Sequence, residues 1–516
     1  MENKLKNAQE AVDLIKDGDT VFIGGFVTLG HPQELTIELE KRFLRTGSPR
    51  GLTIVYGAGQ GDGKERCVNH LAHEGLLKRV IGGHWGLAPK IGKLVATDSI
   101  EGYNLPQGVI THLLRDIAAG KPGTITHIGL NTFIDPRCGG GKLNKITTQD
   151  IVEVIEIDGR EWLFYKAFPI NVALLRGTTS DDRGNISMER EAAVIESLAA
   201  AQAVRNSNGT IIVQVERMAE YGSIDPRLVV IPRTVVDVVI KASPENHLQT
   251  CFPEYNPYFT GESKASERPF VRMPLNERKI IVRRAALELT TDATVNLGIG
   301  IPEGIASIAG EEGLAEKIIL TVESGAIGGL PAGGLSFGAS LNPEALISHP
   351  SQFDSYDGGG LDMAFLGLAQ VDRAGNVNVS KLGSRIIGCG GFINITQGTR
   401  HVIFCGTFTY DGLEIEISEG KLIIAREGMH RKFIENVEQV TFSGRYAAEK
   451  GQKVLYITER AVFELNREGL LLTEVAPGID IERDILSQMD FKPAVSESLK
   501  QMDARIFREI PMGLEL

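Results

Sequence analysis

The sequence is short of cysteine pairs, long apolar runs and positive charge, and each shortage excludes a class of protein. Its five cysteines, Cys67, Cys138, Cys251, Cys389 and Cys405, are odd in number, scattered and without CxxC spacing. Such usage suggests neither a disulfide framework nor a zinc ribbon, and it fits a reducing cytoplasm. No apolar stretch reaches the ~20 residues that a bilayer-spanning helix requires. The segment Met1 to Asp17 also lacks the apolar centre of a signal peptide, so a soluble, cytoplasmic protein is expected. A formal net charge of −12 argues against broad nucleic-acid binding and against an anionic membrane surface as the main partner. An acidic ligand would need a locally basic site. The ten histidines form no HxxxH or HExxH pattern, and no metal is implied.

What is present is enough chain for more than one core: 516 residues, 42% of them hydrophobic. An internal echo organises it. Ala8, Ala11, Val12 and Ile15 keep the i, i+3, i+4, i+7 spacing of a helix, and Val282, Ala285, Ala286 and Leu289 repeat it at an offset of 274. Each copy continues into a polar turn, a Thr-Val strand start (Thr20-Val21, Thr294-Val295) and a glycine turn (Gly24-Gly25, Gly298-Ile299-Gly300). A second echo pairs Asp182-Arg183-Gly184-Asn185-Ile186 with Asp372-Arg373-Ala374-Gly375-Asn376-Val377, its Gly-Asn pairs offset by 191, so the first half carries an insertion. Both Gly-Asn pairs read as turns between strands, because Gly and Asn tolerate the left-handed backbone of a tight reversal.

Short β-branched runs at Leu52–Tyr56, Ile211–Val215, Val235–Ile240 and Lys317–Val322 read as buried parallel strands alternating with helices. The expected fold is therefore α/β, with two related open domains, 1–265 and 275–516, each a mainly parallel sheet covered by helices. The junction is expected in the proline-bearing stretch that holds Pro253, Pro257, Pro269 and Pro274.

In Lys317 to Gly325 an apolar strand runs straight into Glu323 and then into Gly325, Gly328, Gly329, Gly333 and Gly334. Ligands bind at the carboxyl ends of strands in open α/β sheets, which makes Glu323 a candidate. A strand-end glutamate can equally cap a loop or pair with a lysine, and spacing alone does not separate these readings. Gly298-Ile299-Gly300 followed by an acid also outlines a dinucleotide site, although the third glycine, Gly304, comes one place late. Pro302 suits the first turn of a helix, whose amino end can hold phosphate, so a phosphate-bearing ligand fits either reading.

Three segments of the second half resemble, in order, the signature loops of the family I CoA-transferases. They are Val322-Glu323-Ser324-Gly325 with Gly328-Gly329, Asp357-Gly358-Gly359-Gly360-Leu361-Asp362, and Gly388-Cys389-Gly390-Gly391-Phe392-Ile393. In the first half Gly24-Gly25-Phe26, Gly82-Gly83-His84-Trp85, Tyr103 to Gly108 and Lys142-Leu143-Asn144 resemble the single-chain acetate, acetoacetate and propionate CoA-transferases. Nearly the whole chain is covered. The likeness is strongest to the bacterial propionate and acetate enzymes, in Phe133 to Asn144, Glu323 to Ser340 and Gly388 to Gln397, and it extends to succinyl-CoA:3-oxoacid CoA-transferase. Ser324 stands where some relatives carry Asn or Thr, a change not expected to alter the reaction.

The resemblance implies transfer of CoA between short-chain acyl-CoA and carboxylic acids, such as acetyl-CoA and propionate. Glu323 would be the nucleophile, forming an acyl-glutamyl anhydride and then a glutamyl-CoA thioester. No permanently bound cofactor is implied, coenzyme A being substrate and covalent intermediate, and relatives often form homo-oligomers. A glutamate with an ordinary pKa of about 4.3 is ionised at neutral pH, and the thiolate leaving group needs no strong base. What the step requires is stabilisation of the oxyanion, best supplied by fixed N–H donors in a dry cleft. The same resemblance makes the Gly391 amide the first donor and the Gln107 side chain the second, and sets Gly390 beside the thioester. It points Gly298, Ile299, Gly300, Ile301 and Pro302 at CoA, and Lys381 and Arg385, which flank the glycine loop, are candidates to meet its phosphates. Read from the residues alone, Gln107 is a turn residue after Leu105-Pro106, and Lys381 and Arg385 are solvated loop charges. Cys389 has no identifiable histidine partner and reads as structural.

Overall fold

The computed structural model of the protein describes residues 4–266 and 272–516. Pro269, in the expected junction, lies outside the described residues. The chain divides into two compact α/β units. The first comprises Met1–Ser266, Val322–Asp354 and Ser384–Asn394, and the second Glu267–Thr321, Ser355–Gly383 and Ile395–Leu516. Glu323 thus belongs to the unit built mostly from the first half of the sequence.

The main sheet of the first unit runs Leu5–Lys6, Val238–Lys241, Thr210–Ala219, Val172–Asp181, Thr20–Ile23, Leu52–Tyr56, Leu77–Gly82 and Glu101–Asn104, every neighbour parallel. Val172–Asp181 is buried along its whole length, as a central strand of a doubly covered parallel sheet must be. A separate antiparallel sheet of Gly123–Thr126, Arg160–Lys166 and Val152–Ile157 lies in the span of the expected insertion. The second unit's sheet starts with five parallel strands, Ile319–Thr321, Thr294–Leu297, Met363–Gly367, His401–Cys405 and Lys453–Ile457. It continues antiparallel through Ala461–Asn466 and Gly469–Val475.

Both expected repeats are present. The helices are Ala8–Val12 and Glu277–Ala286, and the strands that follow are Thr20–Ile23 and Thr294–Leu297. The Gly-Asn turns join antiparallel strands and are built alike. Asp372 Oδ1 accepts from the Ala374 and Asn376 amides, and Oδ2 from the Asn376 side chain. Asp181 does the same for Arg183 and Asn185. The counterpart of Asp372 is therefore Asp181 and not Asp182, because the acid must stand four residues before the asparagine it holds. Two strands are shorter than expected. The strand Val238–Lys241 begins late because Val235 is held in a turn by Pro232, and Lys317–Val322 reduces to Ile319–Thr321.

Candidate active site

Glu323 stands two residues beyond the strand Ile319–Thr321, at a sharp turn. The Val322 amide donates to the Ala326 carbonyl at 2.9 Å, and the Gly325 amide to the Val322 carbonyl at 3.0 Å. Gly325 has φ 113°, and a Cβ there would fall 2.0 Å from the Ile347 carbonyl oxygen, so only glycine fits. Ser324 is buried and donates from Oγ to the Gly338 carbonyl at 2.5 Å, tying the next residue into the turn. Asn or Thr at this position would be asked for the same bond.

The residue is half-buried, and the protein packed around its carboxylate strips enough water from it to lift its pKa to about 7, a shift that the hydrogen bond from Gln107 opposes. The sequence-based expectation of a fully ionised glutamate at neutral pH is revised accordingly. Gln107 is the first residue of the helix Gln107–Ala118 and is 2% exposed. Its Nε2 donates to Glu323 Oε2 at 3.1 Å and lies 2.8 Å from His349 Nε2. His349 Nδ1 in turn sits 2.6 Å from Glu196 Oε2, and both of these side chains are fully buried. Nothing in the sequence had singled out His349 or Glu196. They lie 153 residues apart, and each reads locally as part of a helix start.

The glycine loop is laced to the same unit by its backbone. The Cys389 amide donates to Asn104 Oδ1 at 2.9 Å, the Gly390 amide to the Gly83 carbonyl at 2.7 Å, and the Gln107 amide to the Gly390 carbonyl at 2.9 Å. Asn104 Nδ2 bonds the carbonyls of Gly82 and Gly83, which explains why Gly82-Gly83 and Tyr103 to Gly108 belong to one motif set. A Cβ on Gly391 would lie 2.8 Å from Glu323 Oε2 and 3.1 Å from the Phe353 ring. One on Gly108 would meet that ring at 2.5 Å. These two glycines let the Phe353 ring and the backbone close on the carboxylate.

Gln107, Gly390, Gly391 and Glu323 are thus brought together. Arg385 is exposed in the same unit, near enough to His84 to add to the burial that pushes its imidazole down to about 4. Trp85 is fully buried, against Tyr56 in the core. Burial pushes the Cys389 thiol upward, away from the thiolate a nucleophile needs. The remaining expected ligand contacts lie in the second unit. Gly298 to Pro302 follow the strand Thr294–Leu297, with Ile299 57% exposed and Gly300 at φ 94° in open space. The helix beyond begins at Gly304, so Pro302 occupies the turn that leads into it and not the first helical turn. Lys381 is half-buried, its amide donating to Asn378 Oδ1. Among the described residues no group of three or more His, Cys, Asp or Glu is arranged to hold a metal ion, and no helix is long and apolar enough to cross a membrane.

Comparison with known proteins adds three findings. The family model for coenzyme A transferase matches residues 5–242. The chain is 49% identical over 518 residues to the caffeate CoA-transferase of Acetobacterium woodii, covering 99% of both, and 43% identical to the acetate CoA-transferase YdiF of Escherichia coli K12, covering 99% of this chain and 96% of that one. Its fold superimposes on the solved E. coli O157:H7 acyl-CoA transferase YdiF, in a thioester complex with CoA, with a TM-score of 0.95 at 42% identity, covering 100% and 98% of the two chains.

Proposed function

The chain belongs to the coenzyme A transferase family, and from that premise we propose that it exchanges CoA between short-chain acyl-CoA thioesters and carboxylic acids through a thioester on Glu323. The observation that carries this reading is a half-buried strand-end carboxylate that accepts from Gln107 and lies against Gly391. Glu323 attacks the acyl-CoA carbonyl, giving an acyl-glutamyl anhydride and the CoA thiolate. That thiolate attacks the glutamyl carbonyl, releasing the first acid and leaving glutamyl-CoA. The second acid repeats both steps in reverse, so no water, metal or redox partner enters the balance. In each step negative charge builds on a carbonyl oxygen, and the Gly391 amide and the Gln107 side chain are the proposed donors to it. The raised pKa of Glu323 suits a nucleophile, since a more basic carboxylate is more reactive once ionised.

Gly298, Ile299, Gly300, Ile301 and Pro302 are proposed to receive CoA, an exposed apolar residue and an open glycine offering a surface for it. Lys381 and Arg385 are proposed to meet its phosphates. The preferred acid is proposed to be short, acetate or propionate. Because one relative is named for caffeate, the test is a panel of propionate, butyrate, lactate, acetoacetate and caffeate against acetyl-CoA, with no other cofactor. New acyl-CoA in the absence of free thiol supports transfer. Free CoA without an acceptor acid would mean a hydrolase, and no turnover with any acid would mean a binding protein.

A further inference from the structure

Glu196 and His349 take no part in the steps above, yet they are the most deeply buried polar pair near the reacting carboxylate. Both side chains are fully buried, and Glu196 Oε1 has no hydrogen-bond partner among the described residues. A carboxylate held in the interior with an unsatisfied oxygen is unfavourable, and an apolar residue would pack there at lower cost. The pair is therefore hard to explain as packing.

Its hydrogen bonds run in one direction. The Gln107 Nε2 group has two hydrogens and two neighbours, Glu323 Oε2 at 3.1 Å and His349 Nε2 at 2.8 Å. His349 Nε2 must then accept, which leaves the ring proton on Nδ1, directed at Glu196 Oε2 2.6 Å away. Gln107 Oε1 faces the glycine loop, 3.7 Å from where a Cβ on Gly390 would stand. Were the amide turned over, Oε1 would lie against Oε2 of the ionised Glu323 carboxylate, acceptor facing acceptor. Phe26 and Phe353, with ring centroids 5.7 and 5.3 Å from the imidazole, hold the ring in place.

We propose that Glu196 and His349 are a positioning pair for Gln107: the acid fixes the histidine tautomer, and the histidine fixes the amide so that its free N–H points at Glu323 and at the oxyanion formed there. This rests on the glutamyl-CoA reading of the site. Neither residue touches substrate, and both act only through Gln107.

The test is a double-mutant cycle on the full-length enzyme, with kcat and KM measured for acyl-CoA and acid, and the CoA adduct followed by intact mass after mixing with acyl-CoA alone. His349→Ala should lower kcat by about 10-fold to 10²-fold with KM changed less than about 3-fold, the signature of a mispositioned transition-state donor. In a Gln107→Ala background the same change should cost less than about 3-fold, because the group it positions is gone. His349→Gln, whose side-chain oxygen can replace the Nε2 acceptor, should regain kcat to within about 3-fold of wild type. Effects that multiply in the double variant, or a His349→Gln enzyme as slow as Gln107→Ala, would overturn the proposal. If His349→Ala does not fold, His349→Gln decides by the same criterion. Absence of any adduct on Glu323 in the wild-type enzyme is a separate result and refutes the mechanism on which the pair depends.

Discussion

The two glycine loops, Gly388–Gly391 and Gly298–Gly300, look alike in sequence, each leading into a helix, but they use glycine for opposite reasons. In the first, Gly388 and Gly391 are compressed. Cβ atoms on Gly388 and Gly391 would lie 2.8 Å from the Trp85 ring and from Glu323 Oε2 respectively. In the second, Gly300 is needed for its φ of 94° and has nothing within 4 Å of the missing Cβ. A glycine crowded by side chains brings backbone to a reacting group, whereas a glycine in open space shapes a turn and leaves room beside it. The comparison predicts catalytic defects from the first loop and mild, binding-type defects from the second.

The largest effect belongs to the carboxylate that the first loop encloses. Glu323→Ala should lower transfer by about 10⁴-fold or more, as expected for a lost nucleophile. Glu323→Asp withdraws the carboxylate by more than about 1 Å, enough to cost about 10²-fold. The gap it leaves can admit water, which aspartate would activate, so slow release of free CoA without an acceptor acid is expected from this variant. Assaying acyl-CoA and free thiol together checks both outcomes, and wild-type-like transfer in either variant would remove Glu323 from the mechanism.

Next come the groups pressed against it. Gly391→Ala drives a methyl group into Glu323 and Phe353, and Gln107→Ala removes a donor, so each should lower kcat by about 10²-fold with an unchanged circular dichroism spectrum. A Gly391→Ala enzyme with normal kcat would erase the distinction between the loops.

A third effect follows from burial. The folded pKa of Glu323 is about 7, above its ordinary 4.5, so the stability this group contributes is present below pH 4.5 and lost as pH rises through about 7. Glu323→Gln should therefore raise Tm relative to wild type at pH 8, with the gap closing towards pH 5. The rate of adduct formation should show an ascending limb near pH 7 as the carboxylate ionises. A flat profile from pH 5 to 8 would contradict the raised pKa of Glu323. The smallest effect is expected in the second loop. Gly300→Ala should cost about 1 kcal/mol of stability through its backbone angle and change KM for acyl-CoA by less than about 10-fold, leaving kcat intact.

Much of this was legible in the sequence because it is local. The helix, strand and glycine turn of each repeat follow from spacing within about 20 residues, and the turn at Glu323 from the glycines around it. The resemblance supplied Gln107 and Gly391, which spacing could not have joined to Glu323. What stayed hidden depends on the tertiary fold. Glu196 and His349 meet across 153 residues, and neither sits in a pattern with chemical meaning of its own. The raised pKa of Glu323 was invisible for the same reason, since burial is a property of the packed chain. Asp181 was passed over in favour of Asp182 because adjacent aspartates cannot be told apart until the hydrogen bonds of the turn are seen.

The claim on which everything else depends is that Glu323 carries CoA covalently. Mixing the enzyme with acetyl-CoA alone, digesting it without reducing agent and mapping the peptides by mass should place one CoA on the peptide containing Glu323, lost again on adding propionate. A CoA adduct on any other residue, or transfer that proceeds with no adduct on trapped enzyme, would contradict it.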